Sequence, residues 1–144
     1  MSHIASAAMA SIILLTSAAR ADTCPATVIN AVKRAFPDGT ITTCAAHLEK
    51  GQKQFEAKVS RGKAKVEIDV SPTGEILVIE EPIAVADLPA SVAKAFAARY
   101  PKAKTTRAEK MTKGTELSFE IAFQFDGRRK GATFKLDGAF VEEE

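Results

Sequence analysis

Two stretches of the chain, "CPATVINAVKRAFP" from Cys24 to Pro37 and "LPASVAKAFAARYP" from Leu88 to Pro101, follow one template. A shift of 64 positions, run without a gap from residue 25 to residue 78, gives identities at Pro25/Pro89, Ala26/Ala90, Val28/Val92, Ala31/Ala95, Pro37/Pro101, Thr42/Thr106, Phe55/Phe119, Glu56/Glu120 and Gly74/Gly138. These nine matches in 54 positions exceed the ~3 that ordinary residue usage would give. Phe36 and Tyr100 are both aromatic before proline, and Thr23 and Asp87 are both able to cap a helix. Chance likeness between two amphipathic helices would not extend past the helices, so the pattern predicts a duplicated unit, residues 22–81 and 82–144.

Each unit has the same internal plan. Val28, Ala31, Val32, Ala35 and Phe36 recur at helical spacing, as do Val92, Ala95, Phe96 and Tyr100, so each unit opens with an amphipathic helix of about three turns. Pro25 and Pro89 suit a first helical turn, and Pro37 and Pro101 stop what precedes them. Short segments rich in β-formers follow, at 40–48, 54–60, 63–70 and 75–79, and again at 104–111, 116–125, 129–136 and 139–142. In the segment from Glu116 to Phe125, Leu117, Phe119, Ile121, Phe123 and Phe125 alternate with Glu116, Ser118, Glu120, Ala122 and Gln124. One face of that strand is therefore expected to be buried and the other not. Asp126-Gly127 and Asp137-Gly138 read as tight turns. The expectation is an α+β fold, a tandem repeat of helix followed by antiparallel strands, with the helices on one face of the sheet and the other face exposed.

The segment before the first unit differs in kind. "ASAAMASIILLTSAARA" holds no acidic residue, has an apolar centre at Ile12–Leu15, and ends with Ala19 and Ala21 in an A-x-A arrangement. It reads as a secretory signal peptide over residues 1–21, although His3 stands where a basic leader is usual. Without that segment the chain carries 19 basic and 18 acidic residues, and neither unit has the positive excess that holds nucleic acid. The reading is a periplasmic or secreted protein without stable membrane insertion after cleavage. In such a compartment the pair Cys24 and Cys44 is expected to be bridged, the start of the first helix lying over the first strand. Leu88 and Ala108 occupy the matching places in the second unit.

The run "LPASVAKAFAARYPKAKTTRAEK", the alternating strand after it, "FDGRRKGATFKLDG" and the closing "EEE" resemble the PepSY-like domain grouped with β-lactamase-inhibitor-like proteins of bacterial periplasms. The resemblance covers residues 82–144 well and 22–81 more weakly. It implies tandem helix-plus-sheet units whose strands form a concave binding surface, and a protein or peptide as partner. Its motifs are structural, so no inhibitor contact residue carries over.

Catalysis needs groups that can meet, and few are present. His47 is the single histidine after the leader, neither cysteine stands in a Cys-x-x-Cys pair, and no glycine-rich phosphate cradle occurs. No catalytic residue, metal site or cofactor is therefore expected. The expected function is a non-enzymatic protein-binding module, an inhibitor or modulator of a periplasmic enzyme. Its candidate contact residues are Glu116, Ser118, Glu120 and Gln124 on the exposed strand face and Arg128, Arg129 and Lys130 at a hairpin tip. The alternative is a cation or small-ligand sensor using Glu142, Glu143 and Glu144, echoed by Glu80 and Glu81 in the first unit. The closing glutamates are otherwise expected to form a free acidic tail, because the ligand pattern of a hard-cation loop is absent.

Overall fold

The computed structural model describes residues 24–144, so the leader at 1–21 and the capping role of Thr23 lie outside the described residues. Helix α1 (Ala26–Ala35) is followed by strands β1 (Thr40–Glu49), β2 (Gln52–Arg61), β3 (Ala64–Val70) and β4 (Ile76–Ile83). After a 3-10 turn at Val85–Asp87 come α2 (Ala90–Arg99), β5 (Lys104–Lys113), β6 (Glu116–Phe125), β7 (Arg128–Lys135) and β8 (Phe140–Glu143). The strands form one antiparallel eight-stranded sheet in sequence order, with β1 and β8 at its edges. The fold is α+β. The bounds of α2, β5 and β6 stand 64 residues after those of α1, β1 and β2.

Both helices begin at a proline and end at an aromatic residue before a proline. Pro25 and Pro89 occupy the N-caps and no side chain caps either helix. Asp87, expected as a cap, instead closes the 3-10 turn. Each helix start is fastened to the turn after the third strand of its half. Thr27 donates its hydroxyl to Pro72 O at 2.9 Å and Ser91 donates to Leu136 O at 2.6 Å. Gly74 and Gly138 complete those turns at φ +90° and +89°. A Cβ on either would stand 2.9 Å from Thr27 O or 2.7 Å from Ser91 O, so no larger residue fits.

The apolar residues gather in two clusters. Val28, Ala31 and Val32 of α1 pack with Phe36, Phe55, Ala57, Val59, Val66, Ile68 and Val70. Val92 and Phe96 of α2 pack with Tyr100, Phe119, Ile121, Phe123, Ala132 and Phe134. Ile79 joins the first cluster and Ile83 the second. They lie four residues apart on β4 and hence on one side of it. Between them, also on that side, Glu81 pairs with Lys110 at 2.6 Å. A bulge between Ile41 and Thr43 lets Ile41 and Cys44 both reach the first cluster despite their odd spacing, and a matching irregularity lies between Thr105 and Arg107.

The two clusters are reinforced differently. Cys24 and Cys44 are joined by a disulfide, with Cα atoms 5.9 Å apart and a separation of 20 residues. A closed loop of that length stabilises by roughly 3 kcal/mol through the unfolded state. In the second half Leu88 packs against its cluster and Ala108 is buried. Rings provide the reinforcement there. Phe96 meets Phe123 edge-on at 5.0 Å, and Tyr100 lies 4.6 Å from Phe123.

The alternation in β6 holds over its middle. Phe119, Ile121 and Phe123 are buried and Phe125 packs at the rim, but Leu117 is 39% exposed because neither cluster reaches that end of the strand. Phe119→Ala is therefore expected to destabilise by about 3–5 kcal/mol. Leu117→Ala should cost well under half of that, measured by denaturant unfolding. Equal costs would contradict the assigned burial.

Candidate protein-binding face

The strand positions that alternate with the clustered residues carry charge. Glu56 stands opposite Asp69, Lys58 opposite Glu67, and Glu67 opposite Glu80. Pro82, two residues after Glu80, faces Glu109, which in turn faces Glu120. Directly opposed residues share a side of a sheet, so these carboxylates form one band across β2 to β6. Strand spacing makes that band roughly 19 Å long. Three of its cross-strand pairs are acid against acid, an arrangement that destabilises a sheet.

The cations present compensate only part of the band. Lys58 lies 3.0 Å from Glu67 and 3.4 Å from Glu56, and these two carboxylates hold its pKa above the ordinary lysine value. Arg107 lies 3.1 Å from Glu109, whose side chain is 11% exposed. His47 Nε2 is 3.8 Å from Asp69. Among the described residues no cation pairs with Glu80 or Glu120. Burial, followed by the neighbouring Glu109, Asp69, Glu120 and Glu67 carboxylates, pushes Glu80 up to about 7. Burial also raises Asp69 and Glu120. A hollow lined by Glu56, Glu67, Asp69 and Glu80 has a volume of about 10 Å³, room for roughly one water. Among the described residues no group of three or more His, Cys, Asp and Glu is placed to hold a metal.

The structure divides the residues singled out from sequence. Glu120 lies within the band, between Glu109 and Thr133. Ser118, opposite Met111 and Lys135, and Gln124, opposite Lys104 and Arg129, continue that side along β6. Glu116 sits at the exposed strand start opposite Lys113. Arg128, Arg129 and Lys130 do not form the expected tip cluster. The turn is Asp126-Gly127, both with positive φ, and the three residues begin β7, where alternation sends them to opposite sides. Arg129 stays beside Gln124, while Lys130 faces Phe123 and reaches Glu143.

The acidic end is not a free tail. Phe140–Glu143 pairs with β7, and Glu144 exchanges two backbone hydrogen bonds of 2.9 Å with Gly131. Glu143 is engaged by Lys130 and by the Tyr100 hydroxyl, and these bonds, that of Lys130 foremost, hold its carboxyl below the usual range. Glu80 and Glu81, grouped by sequence, point to opposite sides, and Glu81 is held by Lys110. The band members Glu67, Asp69 and Glu109 escape a sequence reading. The match Glu56/Glu120 carries a signal, but the meeting of Glu80 with Glu109 depends on strand register.

No known protein family matches the chain, and no curated protein matches it. Solved structures share its fold at low identity. A Bacteroides eggerthii protein described as periplasmic superposes with a TM-score of 0.72 at 16% identity, over 85% of this chain and 88% of that one. A DUF2874 family protein of Bacteroides uniformis gives 0.70 at 14%, over 83% and 88%. A BLIP-like protein of Bacteroides fragilis, that is, one like the β-lactamase inhibitor protein, gives 0.65 at 16%, over 82% and 83%. The chain thus has the α+β fold of these Bacteroides proteins. No helix of the described residues is long and apolar enough to cross a membrane.

The raised Glu80 carboxyl has a consequence for stability. With a folded value of about 7 against an ordinary 4.5, the folded chain keeps a proton that the unfolded chain has released. Stability therefore falls as pH rises through that window, and the whole penalty is present above it. Glu80→Gln removes the penalty. The variant's melting temperature should exceed that of the parent at about pH 8, and the gap should close as pH falls towards the unfolded carboxylate value. A gap independent of pH would contradict the assignment.

Proposed function

We propose that this chain is an exported, non-enzymatic protein-binding module built from two copies of one helix-plus-strands unit, residues 22–81 and 82–144. The helices cover one face of the sheet and a partner protein docks on the other. The single observation that carries the reading is the band of half-buried carboxylates from Glu56 to Glu120, in which neither Glu80 nor Glu120 has a salt-bridge partner among the described residues and Arg107, paired with Glu109, only partly offsets the crowding at Glu120. A domain that needed only to fold would gain by replacing opposed acids with neutral side chains, so the band is understood as held for a contact made from outside. Ser118, Gln124 and Arg129 flank it on the same side and extend the contact surface, with Glu116 at the strand start. Likeness of fold to a BLIP-like protein supports a binding role, and the neighbour described as periplasmic supports export, as does the leader read from residues 1–21. The partner on this reading is a periplasmic enzyme that the module inhibits or modulates.

The test uses the exported protein immobilised beside a Glu80→Lys/Glu120→Lys variant, each exposed to periplasmic extract and analysed by mass spectrometry. The parent should enrich a protein that the variant loses, while the variant's melting temperature is no lower than the parent's. Equal capture by both, or none above background, would contradict the reading.

A further inference from the structure

The two edges of the sheet are unlike. β8 has four residues, two of them glutamates, and is short and charged in the manner that keeps an edge from pairing. β1 has ten residues, "TITTCAAHLE", in which Glu49 at the very end is the one Asp, Glu, Lys or Arg. Among the described residues it pairs with β2 alone. Its outer row of backbone donors and acceptors is thus presented on a long strand without charged guards. The edge is also held firmly in place. Cys44 is bridged to the start of α1, and Ile41, Cys44 and Ala46 pack against the first cluster. Leu48 next to them is 72% exposed, the highest exposure among the large apolar residues described.

We infer that the β1 edge is the contact through which two copies of this chain associate, strand against strand and antiparallel about a twofold axis. The bulge between Ile41 and Thr43 ends the regular part of the strand, leaving Thr43–Glu49 to pair. The midpoint of that stretch is Ala46, so pairing that uses all of it sets Ala46 against Ala46 of the second copy. Leu48 then covers Cys44 on the side of the first cluster. On the other side His47 meets Ala45 and Glu49 meets Thr43. No like charges oppose one another and small residues face large ones, so the strand complements itself as an isologous contact requires. An unrelated extended peptide would satisfy the same backbone groups, but nothing in the strand would fix its register, whereas the second copy brings Leu48 to Cys44. A single pair of strands is a small interface, so the association is expected to be reversible and in the micromolar range or weaker.

Sedimentation equilibrium of the oxidised, exported protein over a wide concentration series tests the inference. Mass should rise from one chain to two, and backbone amides of Thr43–Glu49 should gain hydrogen-exchange protection with concentration. Ala45→Lys/His47→Lys sets lysine against lysine across the axis and should leave a folded monomer. Leu48→Asp, at a side chain already in solvent, should do the same and guards against misfolding of the double variant. A monomer at every concentration would overturn the inference. So would a dimer that survives both variants or is protected elsewhere. Leu48→Asp lies on the side of the first cluster, away from the acidic face that His47 and Ala45 adjoin, so loss of the dimer in that variant bears on the edge alone and the reading of the acidic face stands or falls separately.

Discussion

Alternation along consecutive antiparallel strands, reset at a few bulges, is the constraint on which everything else in this protein rests. A one-residue slip in any strand would carry its apolar set into solvent and its charges under a helix. β4 shows how tightly this is held. Ile79 and Ile83 each enter a different cluster from one side, while Glu80 and Pro82 face the other, so a single strand keeps both clusters and the acidic band in register. The bulges early in β1 and β5 are the two places in those strands where alternation is reset. In β1 the reset allows Cys44 to face the first cluster and Cys24, where the disulfide forms.

The halves reach the same architecture by different chemistry. In the first, the disulfide and a mainly aliphatic cluster hold α1 on β2 and β3; in the second, tilted and edge-on contacts among Phe96, Tyr100, Phe123 and Phe134 take the place of the disulfide. The fourth strands diverge further. β4 is interior and bridges the two clusters, whereas β8 is a short edge held by contacts with the segment closing α2. Arg99 stacks over Phe140 at 3.6 Å and Tyr100 donates to Glu143. These contacts carry the strand begun by Phe140 and Val141 on through Glu142 and Glu143, which have poor intrinsic preference for one.

A strand at 139–142 is legible in the sequence and lies close to β8, but the engagement of the closing glutamates is where sequence reasoning ran out. Local signals were sufficient for both helices, for the order of strands, and for the turns at Asp126-Gly127 and Asp137-Gly138, because each depends on residues within a few positions. The hold on the Glu143 side chain comes from Tyr100 and Lys130, outside the closing segment, and no local pattern announces it. Leu117 fits the alternation but lies past the reach of both clusters, and no local pattern tells where a cluster ends. The acidic band is the largest omission. Glu56 and Glu120 match across the 64-position shift in the sequence, yet their approach to Asp69 and Glu109 follows from register alone.

The band is where the fold and the proposed function meet, because carboxylates in opposed pairs oppose folding. Their ionisation reports directly on whether they crowd one another as described. Carboxyl-detected NMR across a pH titration measures it for each residue. The account predicts that Glu80 titrates near 7, with Asp69 and Glu120 above the ordinary carboxylate range and Glu143 below it. Ordinary midpoints for Glu80, Asp69 and Glu120 would contradict it, since they would mean that the three carboxyls stand apart in open water.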